Sequence, residues 1–137
     1  AGAVLLAASR KPGVGAVVSV AAFSHPATMM RRWLAAKHIP LRPLGNYILR
    51  YVERTIGHRF DDIAPEHAIA RVRCPVLLVH GADDETVPLS EAHRIHAARG
   101  HDGVDLRVLP GDHERFAEPA RHLAELVDFL DRALARR

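Results

Sequence analysis

Apolar residues along this chain form two kinds of pattern, short continuous runs and longer helical stretches. Residues 14–22 (VGAVVSVAA) and 75–80 (PVLLVH) are continuous runs without period-two alternation, which is typical of parallel strands covered on both faces. Residues 104–109 (VDLRVL) alternate apolar with polar, which predicts a half-exposed strand near a sheet edge. Helix-favouring stretches, most of them bounded by proline or glycine, predict helices over residues 2–9, 26–39, 44–56, 88–99 and 117–135.

The order of these elements predicts the fold class. Strands that alternate with helices along a chain favour an α/β domain with a parallel sheet. Residues 24–60 interrupt the alternation with two helices, and the second of these has one apolar face made of Leu44, Tyr47, Ile48, Tyr51, Val52 and Ile56. Three strands make a thin sheet, and the opening helix has no strand before it. We therefore expect earlier strands in a longer polypeptide.

Composition and charge narrow the class of protein. The 137 residues suit one small domain, and no apolar segment approaches the roughly 20 residues of a membrane span. The net charge of +3 is uneven, because residues 1–60 hold nine Lys/Arg and one acid whereas residues 61–137 hold ten Arg and fifteen acids. A basic half can attract anionic partners, but an ordinary solvated face, or a balancing acidic segment elsewhere, is the simpler interpretation, and we expect no nucleic-acid partner. Cys74 is the single cysteine and no signal peptide is evident, which fits a cytoplasmic protein.

Charged loops follow two of the predicted strands. HGADDETVP comes after the strand that ends at Val79, and PGDHERF comes after the strand that ends at Leu109. Sites in parallel α/β sheets form beyond the carboxyl ends of the strands, and one α/β unit separates these two strands, so we expect Asp84 and His113 to lie within reach of each other. A carboxylate beside an imidazole fixes its tautomer and stabilises the imidazolium during proton transfer.

The same two loops resemble those of the α/β-hydrolases. PVLLVHGADDETVP is similar to the acid-bearing segment, a strand followed by H-G-x-x-D-x-x-V-P, and VLPGDHERF is similar to the histidine loop, in the family's order. GAVLLAAS resembles the helix after the nucleophile elbow, and residues 24–60 resemble a short helical cap. The resemblance implies that Asp84 is the triad acid and His113 the general base. Asp83 is predicted to be a turn or capping residue, because aspartate is favoured in turns. The resemblance also implies that no metal or organic cofactor is needed.

The family's nucleophile motif, G-x-S-x-G, does not occur in this chain. By motif register its serine lies about one or two residues before Ala1. We therefore interpret residues 1–137 as one partial α/β-hydrolase domain, the C-terminal portion of the fold. Residues 1–23 hold the helix and strand after the elbow, residues 24–60 the cap-like insert, and residues 61–137 the acid and histidine loops with the last two strands and helices. The expected function is serine-type hydrolysis of an ester or amide bond in a small molecule, with this chain alone inactive and the missing N-terminal half of the fold as its partner.

Several other residues have competing interpretations. Ser24 and His25 follow the first long strand, where the family's substrate pocket opens, so the resemblance predicts them as substrate-binding. His80, at the end of the second strand, is predicted to support the loop rather than do chemistry. His93 and His96 have the i, i+3 spacing of a zinc pair, but no convincing third ligand accompanies them, so a solvated helix face is favoured.

Two other functions stay open at this stage. Since the nucleophile is missing, the chain can be a non-catalytic binding or interaction module with the same fold. It can also be a receiver-like α/β domain in which Asp83 and Asp84 hold Mg²⁺. No glycine-rich phosphate loop supports this last reading.

Overall fold

A computed structural model describes residues 2–113, 115 and 118–136 of the chain. Its strands and α-helices are α1 Gly2–Arg10, β1 Val17–Val20, α2 Pro26–Ala36, α3 Asn46–Ile56, α4 Phe60–Ile63, α5 Pro65–Ala68, β2 Val76–Gly81, α6 Leu89–Ala97, β3 Val104–Leu109 and α7 Pro119–Ala135. Short turns of π-helix and 3₁₀-helix occupy Leu41–Gly45 and Ile69–Arg71. The predicted start of the last helix at Ala117 lies outside the described residues, as do Glu114 and Phe116 of the predicted histidine loop.

The three strands form one parallel sheet in the order β1-β2-β3. Every residue of the central strand β2 is buried, as its continuous apolar run predicts. β3 lies at an edge of the described sheet and its side chains are partly exposed, which explains its alternating pattern. The predicted α/β class with a parallel sheet is therefore confirmed.

Alternate residues of β2 supply the two faces of the core. Val76 and Leu78 face a cluster that includes Leu5 of α1, Ile95 of α6, and Ile69 of the 3₁₀ turn. On the other face lies a smaller cluster of Leu77, Val79 and Leu109, against which α7 places Leu126 and Phe129. Helices thus cover both faces of β2. Within the described residues, no helix combines the length and hydrophobicity that crossing a bilayer requires.

The cap-like insert packs through a small cluster of its own. Ala27 of α2, Leu49 of α3 and Phe60 of α4 are its buried members. The apolar face predicted for α3 is only partly buried, because Tyr47 and Tyr51 are 69% and 63% exposed whereas Val52 packs against this cluster. The buried side of α3 is centred on Leu49, which lies outside the predicted face and packs in the cluster with Ala27 and Phe60. The short helices α4 and α5 are also absent from the sequence-based prediction, since four-residue helices carry too little periodic signal.

We predict that Leu5→Ala lowers the free energy of unfolding by about 2–5 kcal/mol, because Leu5 is fully buried between α1 and the sheet and its truncation leaves a cavity. The matched control is Leu123→Ala, since Leu123 is 62% exposed on α7 and should cost less than about 0.5 kcal/mol. Urea unfolding monitored by circular dichroism measures both. Equal losses in the two variants would contradict this packing of α1.

Candidate active site

The loops that follow β2 and β3 are joined by backbone hydrogen bonds. The N–H of Ala82 donates to the carbonyl of Leu109 at 2.8 Å, and that of Asp83 donates to the carbonyl of Gly111 at 2.9 Å. A Cβ atom on Gly81 would lie 2.7 Å from the carbonyl oxygens of Gly111 and Asp112. Glycine at position 81 therefore permits a backbone approach that no other residue allows. The sheet pairing continues past the strand ends and brings the two loops together.

This approach joins Asp84 to His113. The Nδ1–H of His113 donates to Oδ2 of Asp84 at 2.8 Å. The Asp84 side chain is fully buried, whereas that of His113 is 35% exposed. The residues are 29 positions apart, and the predicted juxtaposition is present in the structure. With Nδ1 held by the carboxylate, Nε2 is the ring nitrogen left for exchanging a proton with another group.

The electrostatics of Asp84 favour its charged form. Burial by itself would raise the pKa of Asp84. The hydrogen bond from the Val87 N–H to Oδ1, at 2.8 Å, opposes this, as do the hydrogen bond from His113 and the charges of His113 and His80. The net result is a pKa below the ordinary value of 3.8. Asp84 is therefore a carboxylate at neutral pH, the form that can orient and stabilise an imidazolium.

His80 lies near the end of β2, just before the loop that holds Asp84, and is 1% exposed. Its Nε2–H donates to the carbonyl of Val87 at 2.7 Å and lies 3.5 Å from Oδ2 of Asp84. Its Nδ1 has no hydrogen-bond partner among the described residues. The bond to Val87 closes the loop from residue 80 to residue 87, which agrees with the predicted supporting role of His80.

Ser24 and His25 follow β1 at the same carboxyl edge of the sheet. Ser24 is fully buried, and both its N–H (at 2.8 Å) and its hydroxyl donate to Oε2 of Glu91 on α6. The hydroxyl would have to break its bond to Glu91 to reach a substrate. In this structure it links the loop after β1 to α6. The substrate-binding role of these two residues stays a prediction.

Burial of Glu91 on α6 was not predicted from the sequence, yet this residue is 3% exposed. It lies in the first turn of an amphipathic helix, three residues before Arg94, a spacing that suggests a solvent-exposed ion pair. Its partner Ser24 is 67 positions away, and no local pattern links the two. Burial of this carboxylate is therefore a tertiary effect.

A second polar cluster surrounds His25. Its Nδ1 accepts from the Ala27 N–H at 3.1 Å and caps α2, while its Nε2–H donates to Oδ1 of Asp61 at 2.7 Å. His67 meets His25 edge-on with ring centroids 5.5 Å apart, and its Nδ1–H donates to the carbonyl of Asp61 at 2.7 Å. One potential ligand atom from each of His25, Asp61 and His67 lies within 4.8 Å of the others. Among the residues that the structure describes, these three form the group that could hold a metal ion.

The environments of Asp83 and Asp84 differ, which bears on the hypothesis of a receiver-like domain with a magnesium site. Asp83 is exposed, whereas Asp84 is buried with its oxygens accepting from Val87 and His113. This arrangement does not present two free carboxylates to a magnesium ion. Of the two histidines expected on a solvated helix face, His93 is exposed, whereas His96 is partly buried and its Nε2–H donates to the carbonyl of Val104 at 3.0 Å.

Comparison with solved structures defines the class of protein to which this fold belongs. The chain superposes on an acetyl xylan esterase from Paenibacillus sp. R4 with a TM-score of 0.68 and 17% identity, over 95% of this chain and 41% of that one. It superposes on an acylaminoacyl peptidase with a TM-score of 0.65 and 17% identity, over 91% of this chain and 21% of that one. At such identities the likeness shows the fold, which is that of the α/β-hydrolases.

Sequence similarity agrees with the fold. The chain is 34% identical over 111 residues to the human protein "Serine hydrolase BPHL", an alignment that covers 72% of this chain and 37% of that protein. No family model matches the chain. Taken with the fold, the similarity shows that this chain belongs to the α/β-hydrolase superfamily, as its two loop motifs predict. It spans a little over a third of the length of this curated relative.

We predict that Gly81→Ala lowers the free energy of unfolding by about 1–3 kcal/mol, because the new methyl group would push the loop after β3 away from β2. Gly13→Ala is the matched control, since no atom lies within 4 Å of a Cβ at that position. It should be neutral or slightly stabilising. Chemical denaturation measures both, and equal effects would contradict the close approach at Gly81.

We predict that Asp84→Asn destabilises the protein by about 1–3 kcal/mol at pH 7, because a buried and hydrogen-bonded charge is lost. A carboxylate whose pKa is lowered on folding contributes stability above its unfolded pKa, and this is lost as the pH falls through the folded value. The stability difference between wild type and variant should therefore shrink as the pH falls below about 4. Urea unfolding at a series of pH values measures it, with the exposed Asp83→Asn as control. A difference that grows on acidification would contradict the assigned pKa direction.

Proposed function

We propose that the protein containing this chain is a serine-type hydrolase of ester or amide bonds, with Asp84 and His113 as its acid and general base. The observation that carries the proposal is the buried, ionised Asp84 bonded at 2.8 Å to Nδ1 of a half-buried histidine. The bond leaves Nε2 as the nitrogen for proton transfer. Superfamily membership supports the same reaction class.

The proposed chemistry follows from the state of each nitrogen on His113. Nε2 takes the hydroxyl proton as the serine oxygen attacks the substrate carbonyl, and Asp84 stabilises the resulting imidazolium. The same proton then passes to the leaving alcohol or amine, which yields an acyl-enzyme. Nε2 then deprotonates a water molecule that attacks the acyl carbon, and it returns this proton to the serine oxygen as the carboxylic acid leaves. The nucleophile would come from a G-x-S-x-G segment placed before α1, as the family resemblance implies.

The relatives do not favour one substrate class over the other. An esterase and an acylaminoacyl peptidase share the fold, and the human relative is described only as a serine hydrolase. We accordingly propose a small-molecule ester or amide as substrate, with no cofactor in the hydrolytic step. A cytoplasmic location belongs to the same proposal, since Cys74 is the single cysteine of the chain and no disulfide can form within it.

We predict that His113→Ala and Asp84→Asn each lower kcat/KM by at least about 100-fold, since proton transfer and the correct histidine tautomer are lost. The assay follows hydrolysis of p-nitrophenyl acetate and butyrate, and of an aminoacyl p-nitroanilide, by the full-length protein. His93→Ala and Asp83→Asn are the controls, because both residues are exposed, and each should stay within about twofold of wild type.

Three outcomes separate the competing functions. Loss of turnover in both site variants with active controls supports the hydrolase. Full turnover in either site variant removes that residue from the mechanism. A folded full-length protein that neither turns over these substrates nor reacts with a fluorophosphonate serine probe would instead support the non-catalytic module.

A further inference from the structure

We propose that His25, Asp61 and His67 form a binding site for a divalent transition-metal ion, with Zn²⁺ as its preferred test ligand. Such an ion would clamp the loop after β1 to the segment that holds α4 and α5. None of the three residues hydrogen-bonds to Asp84 or His113 among the described contacts. The site is therefore distinct from the pair formed by Asp84 and His113.

The donor set suits a borderline transition metal. Two imidazoles and one carboxylate are ligands that Zn²⁺ accepts, whereas Mg²⁺ and Ca²⁺ prefer oxygen ligands alone. The three ligand atoms lie within 4.8 Å of one another, so small side-chain movements would bring them to one ion. Oε1 of Glu66 lies 3.7 Å from Nε2 of His67 and is available as a fourth ligand.

His67 already has the protonation pattern of a metal ligand. Its Nδ1–H donates to the backbone carbonyl of Asp61, which leaves a lone pair on Nε2. A backbone carbonyl that holds the far nitrogen is the usual support of a metal-binding histidine. His25, Asp61 and Glu66 also line an open groove of about 530 Å³, which provides an entry path from solvent.

His25 sets the limit on affinity. Its Nε2 now carries the proton donated to Asp61, and its Nδ1 caps α2. A metal at Nε2 must displace that proton, and the proton then required on Nδ1 breaks the cap to Ala27. Loss of one such cap corresponds to about a tenfold loss of affinity, and the positive charge of Arg59 near Asp61 weakens binding further. We therefore expect roughly micromolar rather than nanomolar binding.

The test is isothermal titration of ZnCl₂ into the full-length, untagged protein after treatment with a chelator, at pH 7.5. We expect one saturable site that weakens at least about tenfold in His67→Gln and in Asp61→Asn. His25→Asn should weaken it as well, although asparagine keeps the helix cap and the fold. His93→Gln is the control for adventitious surface histidines, because His93 is exposed and outside the cluster.

The results decide in either direction. Loss of the site in the three cluster variants with retention in His93→Gln supports the proposal. Absence of saturable binding overturns it, and so does binding that survives His67→Gln and Asp61→Asn. Circular dichroism melts of the same variants, with and without Zn²⁺, show whether each is folded and whether the ion raises its melting temperature. This readout does not depend on hydrolytic activity, so failure of either proposal leaves the other standing.

Discussion

The hydrogen bond between Asp84 and His113 depends on one backbone constraint, the absence of a side chain at Gly81. There the loop after β3 approaches the end of β2 so closely that a single methyl group would meet two carbonyl oxygens. The parallel pairing of the strands can then continue into their loops through Ala82 and Asp83. Backbone hydrogen bonds between the two loops therefore position Asp84 and His113.

Burial of the Asp84 carboxylate is costly, and the local structure offsets that cost. An ionised carboxylate out of water needs charged or hydrogen-bonding partners. Val87 donates to one oxygen and His113 to the other, while His80 holds the same loop closed through the Val87 carbonyl. The run from residue 80 to residue 87 acts as one unit, which explains why a buried strand leads directly into adjacent acids.

Much of this arrangement could be predicted from the sequence, and the limit has a physical basis. Apolar runs and turn residues are local signals, so the strands, their parallel order and the meeting of Asp84 with His113 followed from them. The burial of Leu49 on α3 could not be predicted in this way, because its packing with Ala27 and Phe60, not the helical periodicity, determines it. The hydrogen bond from Ser24 to Glu91 joins residues 67 positions apart, and the one from His25 to Asp61 joins residues 36 positions apart, so no local pattern indicates either. His67 lies on a helix too short to predict.

The hydrogen bond between His113 and Asp84 is tested most directly by the tautomer of His113, measured by ¹H–¹⁵N NMR of histidine-labelled protein at neutral pH. We expect a proton on Nδ1, shifted downfield by its bond to Asp84 and retained in Asp83→Asn. In Asp84→Asn that downfield resonance should disappear. A His113 ring protonated on Nε2 alone, or a spectrum unchanged by Asp84→Asn, would show that Asp84 does not hold Nδ1 of His113.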